Sequence, residues 1–232
     1  MKIAIIQSNF LPWKGYFDII HDVDAFVFLE DVQYTKNDWR NRNRIKTSSG
    51  IQWLTVPVLG SIHQTIAETR IDYTNRWEAK HQRAIQLNYA KAPYYNSYRD
   101  EILSVYGKSP ETISVLNISA IRVISRLLGI DTAFFNSTEI PTMGKRNEKI
   151  IEICHHLGAT EYISGPRGKN YLDEEKFRKE GIALTYKSYE GYPEYPQLWG
   201  EFSHHVSIID LIFNCGGESP QYIWGWRDAR SD

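Results

Sequence analysis

Ile3-Ala4-Ile5-Ile6-Gln7-Ser8-Asn9-Phe10-Leu11-Pro12-Trp13-Lys14-Gly15-Tyr16-Phe17-Asp18 is the stretch on which the fold turns. Its apolar run starts almost at Met1, stops at the amides of Gln7 and Asn9 and at Pro12, then gives way to Phe17, Ile19 and Ile20 at helical spacing. That order predicts strand, loop, helix. In open α/β sheets ligands bind at the carboxyl end of such a strand, where the loop and the next helix's N–H groups converge. Gln7, Asn9, Trp13 and Tyr16 are therefore candidate binding residues.

Outward from this unit, Ala25-Phe26-Val27-Phe28-Leu29 predicts a second strand, running into Glu30-Asp31-Val32-Gln33-Tyr34 and the polar run Trp39 to Lys46. Gln52-Trp53-Leu54-Thr55-Val56-Pro57-Val58 is a third strand-like segment. All three end beside polar or aromatic residues, which predicts one wall of a pocket. Residues 75–130 are helical in pattern: Trp77, Ala84, Ile85 and Leu87 share a face before Pro93, and Ser109-Pro110 resembles a helix start with Ser at the cap. That helix carries Ile113, Leu116, Ile121, Ile124 and Leu127 to a stop at Gly129. Strand and helix then alternate again, with extended pieces at 133–135, 161–164 and 182–186 and helices at 145–157 and near Phe177. The expected fold class is α/β: a Rossmann-like, mainly parallel sheet with helices on both faces. The chain reads as a single domain, 1–232, with a helical insertion or cap at about 75–130. After 191 the sequence is aromatic, and Ser207 to Phe213 predicts a short helix holding Asp210.

Composition narrows the function classes. Lys plus Arg total 27 against 28 Asp plus Glu, a net charge of −1, so no global field draws the chain to nucleic acid or an anionic membrane. No stretch has the length to span a bilayer, and the apolar run before Gln7 is too short for a signal peptide. A cytoplasmic protein is expected, with no membrane insertion and homo-oligomerisation left open. Cys154 and Cys215 lack metal-ligand spacing and read as reduced thiols, and no His-x-x-x-His occurs, so no metal site is predicted. The 15 Tyr and 7 Trp fall largely in polar segments, as suits a partly wet cleft that stacks on a sugar or base.

Two constellations carry anion chemistry. Ser164-Gly165-Pro166-Arg167-Gly168-Lys169-Asn170-Tyr171 follows a strand: its glycines let backbone amides approach an anion, and Arg167 and Lys169 add charge there. The alternative is a glycine-rich turn with solvated cations. Trp39 to Lys46 holds four cations and two Asn, and Arg42 between Asn41 and Asn43 offers a planar donor fork flanked by amides, suited to a diphosphate. The alternative there is a solvated loop. Acid–base candidates are Asp31 at a strand tip, and His204 or His205 with Asp210. His81 is placed to face either a cleft or water. His155-His156 ends an apolar helix and reads as a helix C-terminal contact.

Residues 7–17, 31–34, 39–46, 53–58, 162–172, 195–197 and 207–214 together resemble the WbqC-like family. The resemblance implies a role in bacterial surface-polysaccharide loci such as O-antigen and lipopolysaccharide clusters. Phe10-Leu11-Pro12-Trp13-Lys14-Gly15-Tyr16 also looks like the phosphate-binding segment of the nucleotidylyltransferase superfamily, which adds Gly15 to the candidates. Trp13 and Tyr16 stand where that superfamily has histidines, so the charge-stabilising imidazoles are missing. The expectation is a transferase that moves an acyl or aminoacyl group from a thioester or adenylate to the amine of a nucleotide-linked sugar. Arg42, Lys46, Arg167 and Lys169 would hold phosphates, and Trp13, Tyr16 and Trp53 would stack. The alternatives are a nucleotidylyltransferase or ligase using ATP with Mg²⁺, and a non-catalytic nucleotide-sugar-binding module.

Overall fold

In chain order the elements are β1 (Lys2–Ile6), α1 (Lys14–His21), β2 (Ala25–Phe28), β3 (Arg42–Thr47), β4 (Gly50–Thr55), β5 (Val58–Leu59) and β6 (Arg70–Ile71). Next come α2 (Trp77–Tyr89), α3 (Tyr95–Leu103), α4 (Ile113–Leu127), β7 (Ala133–Asn136), α5 (Asn147–His156) and β8 (Glu161–Ser164). The chain finishes with α6 (Glu174–Lys179), β9 (Ala183–Tyr186), α7 (Ile208–Cys215) and α8 (Gly225–Asp228). They are seen in a computed structural model that describes residues 1–60 and 63–228.

β1 is central to a five-stranded sheet of order β7-β2-β1-β8-β9, and every pairing is parallel. Ile3 lies opposite Ala25 on one flank and Tyr162 on the other. Because strand side chains alternate between faces, Ala4, Phe26 and Phe28 join one apolar cluster while Ile3, Ile5, Ala25 and Val27 join another. The first cluster takes in Phe17, Ile19 and Ile20 of α1, Leu116, Ile121 and Ile124 of α4, and most of α7. The second takes in Ile150, Ile153 and Cys154 of α5 and Phe177 of α6. This is the Rossmann-like α/β arrangement that the alternation of strand and helix predicted. α4 packs into the same cluster as Phe26 and Phe28, and so do Ile85 and Tyr89 of α2 and Ile102 of α3, so the helices of 75–130 share the core on that face of the sheet.

Two local expectations need correction. The polar run after Trp39 is a strand, β3, paired antiparallel with β4 in a separate hairpin, so 52–58 does not extend the main sheet. Hairpin pairing satisfies backbone groups whatever the side chains' polarity, and that hides the strand from an apolar-run reading. α4 is capped by Thr112, whose Oγ1 accepts from the Val115 amide at 3.4 Å, while Ser109 has φ of 42° in the preceding turn. Among the described residues no helix is long and apolar enough to cross a membrane.

His81, on α2, faces neither cleft nor water. It is 6% exposed, its Nε2–H donates to the Thr55 carbonyl at 3.1 Å, and the Tyr106 hydroxyl lies 3.5 Å from Nδ1. Burial holds its pKa down to about 4. An imidazole kept neutral in the folded state contributes stability above pH 6.5 that is lost as pH falls toward 4, by up to about 3 kcal/mol. Urea unfolding across that window should show a shallower pH slope in His81→Phe than in the wild type. Equal slopes would remove His81 as the source.

Candidate functional site

The strand order reverses direction at β1: the chain runs out to β2 and β7, then returns to place β8 on β1's other side. Ligands of open α/β sheets bind in the crevice that such a reversal opens between two strand C-termini. Here the crevice is a cleft of about 760 Å³, floored by Ile5, Ile6 and Leu29. Gln7, Asn9, Pro12, Trp13 and Tyr16 line it from the loop after β1, and Ser164, Gly165, Pro166, Arg167, Gly168 and Tyr171 from the turn after β8. Trp39, Arg40, Asn43 and Arg44 border it from the β3 side, and Tyr189 and His205 from the tail. The arginine run and the later glycine-bearing turn, far apart in sequence, thus face one cavity.

The first loop is built to be rigid. Asn43 Nδ2 donates to the Phe10 and Leu11 carbonyls at 3.1 and 2.7 Å, supporting Leu11 at φ 41°, and the Phe10 amide donates to the Trp39 carbonyl at 2.8 Å. Below it, buried Glu30 accepts from the Ser8 amide at 2.8 Å and from the Ser8 hydroxyl at 3.0 Å. Burial raises the Glu30 pKa, against the pull of Ser114, Ser8 and Arg40. Tyr16 donates its hydroxyl to the Gln7 carbonyl at 3.1 Å, so its ring, not its OH, is what the cleft meets. Gly15 lies under the indole of Trp13, where an added Cβ would come within 2.3 Å of the ring. Gly15 therefore lets Trp13 fold over the start of α1 and does not itself line the cleft.

The turn after β8 follows the same logic. Gly168 presses on Ser164, with 2.2 Å left between a would-be Cβ and the serine Oγ, and its amide donates to the Gly165 carbonyl at 2.9 Å. The expectation that its amide reaches an anion is corrected: that donor closes the turn, and Arg167 is the charge presented to the cleft. Lys169 lies over the Tyr186 ring at 5.4 Å, outside the lining.

Other candidates sit elsewhere. Asn41 and Asn43 do not flank Arg42 as anion donors: Asn41 is buried and Asn43 borders the cleft, but the Nδ2 of each is spent on backbone carbonyls. Arg42 stacks on Trp53 at 4.4 Å, beside the cleft and not in it. Lys46 is buried, and its Nζ donates to the Glu201 carbonyl. Gln33 bridges to Thr65 on an exposed turn. Asp31 pairs with Lys149 at 2.5 Å and accepts from Ser137 at 2.6 Å, so it is not a free base. Asp210 is 1% exposed and accepts from Tyr89, Tyr195 and Gln197 at 2.8, 2.9 and 2.8 Å. His204 packs against Phe202 and Tyr192, and burial lowers its pKa to about 4, helped by the charges of Lys14 and His205. Of the four acid–base candidates, His205 alone lines the cleft.

Arg40 and Arg44 stand in the cationic run but are not among the expected site residues, and neither is Tyr189, though all three line the cleft. Strand alternation from the buried Asn43 points to Arg44, whereas no local signal marks Tyr189.

A parallel sheet with an arginine-edged, ring-lined cleft at its strand-order reversal defines a Rossmann-like α/β protein with a switch-point pocket. The chain belongs to the WbqC-like protein family, whose model matches residues 7–222. It is 46% identical over 225 residues to the uncharacterized protein Rv1507c of Mycobacterium tuberculosis, a likeness covering 96% of this chain and 97% of that one. No solved structure matches the chain.

Proposed function

We propose that the protein is an enzyme of bacterial surface-polysaccharide biosynthesis that binds a nucleotide-linked amino sugar in this cleft and transfers an acyl or aminoacyl group to its amine. The observation that carries the reading is the meeting of Arg40, Arg44 and Arg167 with Trp13, Trp39, Tyr171 and Tyr189 around one cavity. Guanidinium groups and aromatic faces together match the phosphates and the rings of a nucleotide sugar. Gln7 and Asn9 add amide donors and acceptors for sugar hydroxyls.

Amine attack requires a neutral nitrogen and then loses a proton. No carboxylate lines the cleft among the described residues, so the exposed imidazole of His205 is the group placed to take that proton. The new C–N bond forms as the thioester C–S or adenylate C–O bond breaks, and His205 returns the proton to the leaving group. The runner-up, a nucleotidylyltransferase or ATP-dependent ligase, lacks support at the first loop, because Tyr16 stands in an imidazole's place with its hydroxyl donated to the Gln7 carbonyl and supplies no positive charge.

Thermal-shift titration with amino-sugar nucleotides, with ATP plus Mg²⁺ and with acyl-CoA tests the reading, since a ligand that binds only the folded form raises the midpoint. Arg44→Ala should weaken the amino-sugar nucleotide by about 1.5–3 kcal/mol. Stabilisation by ATP with Mg²⁺ alone would favour the runner-up. Tight binding of the amino sugar without conversion by any acyl donor would leave a binding module.

A further inference from the structure

Resting on the nucleotide-sugar reading above, we propose an orientation: the base stacks on a Trp39–Trp53 shelf, the diphosphate runs along Arg40 and Arg44, and Arg167 is left for the phosphate-bearing acyl donor. Trp39 and Trp53 lie 5.6 Å apart with planes tilted by 34°, and remain 36% and 42% exposed despite their size. Trp39 lines the cleft whereas Trp53 stands outside it, so the shelf leads from the interior to the rim. A base attached through two phosphates to a sugar inside the cavity would reach such a rim.

The arginines show which end of the ligand meets the shelf. Arg42 sits over Trp53 at 4.4 Å, and Arg44 lies 5.3 Å from the rings of both Trp39 and Trp53. Stacking holds a guanidinium by its face and leaves its N–H edge directed at an anion. The Nε atoms of Arg40, Arg42 and Arg44 are all buried and have no hydrogen-bond partner among the described residues, although Arg40 Nη1 reaches Asp38 at 2.7 Å. Arg40 and Arg44 both line the cleft, and two guanidinium groups side by side match the many oxygens of a diphosphate better than a single carboxylate. The sugar end follows: the Ser207 amide donates to the Arg44 carbonyl at 2.8 Å, which brings His205, two residues earlier, beside the arginine end of the cleft.

Titrating the full-length protein with UDP, dTDP, GDP, ADP and inorganic pyrophosphate by calorimetry tests this orientation. At least one nucleoside diphosphate should bind about tenfold more tightly than pyrophosphate, the scale of one base stacked on a ring. Trp53→Ala should erase that advantage while leaving pyrophosphate unchanged, Trp53→Phe should retain most of it, and Arg44→Ala should weaken both probes. Unchanged nucleoside diphosphate affinity in both Trp53→Ala and Trp39→Ala overturns the orientation, as does dependence on Arg167 in place of Arg44. The nucleotide-sugar reading would survive either result. Failure of every nucleoside diphosphate to bind the wild type would sink both.

Discussion

Asp18→Ala is expected to lose about 3–5 kcal/mol of stability, the range for removing one partner of a buried ion pair. Asp18 lies on α1 with a 2% exposed side chain and accepts from Lys187 at 2.9 Å, Arg227 at 2.8 Å and Tyr192 at 2.5 Å. Lys187 is equally hidden and would keep only Asp22. Burial alone would raise the Asp22 carboxyl, but hydrogen bonds from Lys187 and Arg227, with the Lys187 charge and His21, pull it down to about 2. Since these contacts fasten the tail to α1, Asp18→Ala should also loosen Tyr189, which walls the cleft. Urea denaturation gives the stability change, and a variant within about 1 kcal/mol of wild type would mean the cluster anchors nothing. Tyr192→Phe, which removes one hydrogen bond to the Asp18 carboxylate, should cost about 1.5–3 kcal/mol.

The second large effect concerns Asp210, which lies in the interior of the fold. Asp210→Ala would leave the O–H donors of Tyr89 and Tyr195 without their acceptor, each worth about 1–3 kcal/mol when buried without a partner, whereas the Gln197 amide keeps the Tyr195 hydroxyl and the Ser203 carbonyl. A total loss of about 3–5 kcal/mol is expected. Asp210→Asn, of the same size and still an acceptor, should lose less. Burial raises the Asp210 pKa even against those three donors and the Lys46 charge. His205→Ala should behave in the opposite way: its side chain is exposed, so stability should stay within about 0.5 kcal/mol while turnover of the amino sugar falls. Measuring stability and turnover for both variants separates the roles. A stable but inactive Asp210→Ala would return Asp210 to the chemistry.

How far the sequence discloses the site depends on the range of each signal. β1, α1 and the turn after β8 announce themselves through apolar periodicity and glycines, and both loops line the cleft. What local pattern cannot carry is which face a polar strand presents. Arg42 and Arg44 share one face of β3 and both lie against Trp53 of the partner strand, yet only the second reaches the cavity. Lys46, two residues on, is covered by the Glu201 segment, more than 150 residues later. Asp31 looked like a free carboxylate because Lys149, which neutralises it, is equally remote in sequence. Tyr189 had no signal, since its place follows from Lys187 being drawn into the Asp18–Asp22 cluster two residues before it.

Translation order gives the tail a particular consequence. Every strand of the main sheet has been synthesised by Tyr186, but Tyr189, His205 and the Ser207 amide that grips the Arg44 carbonyl have not. Domains fold as units as synthesis proceeds. A nascent chain halted after β9 would therefore lack both α7, which packs into the apolar cluster on one face of the sheet, and the residues that complete the cleft, so both arrive with its final fifth.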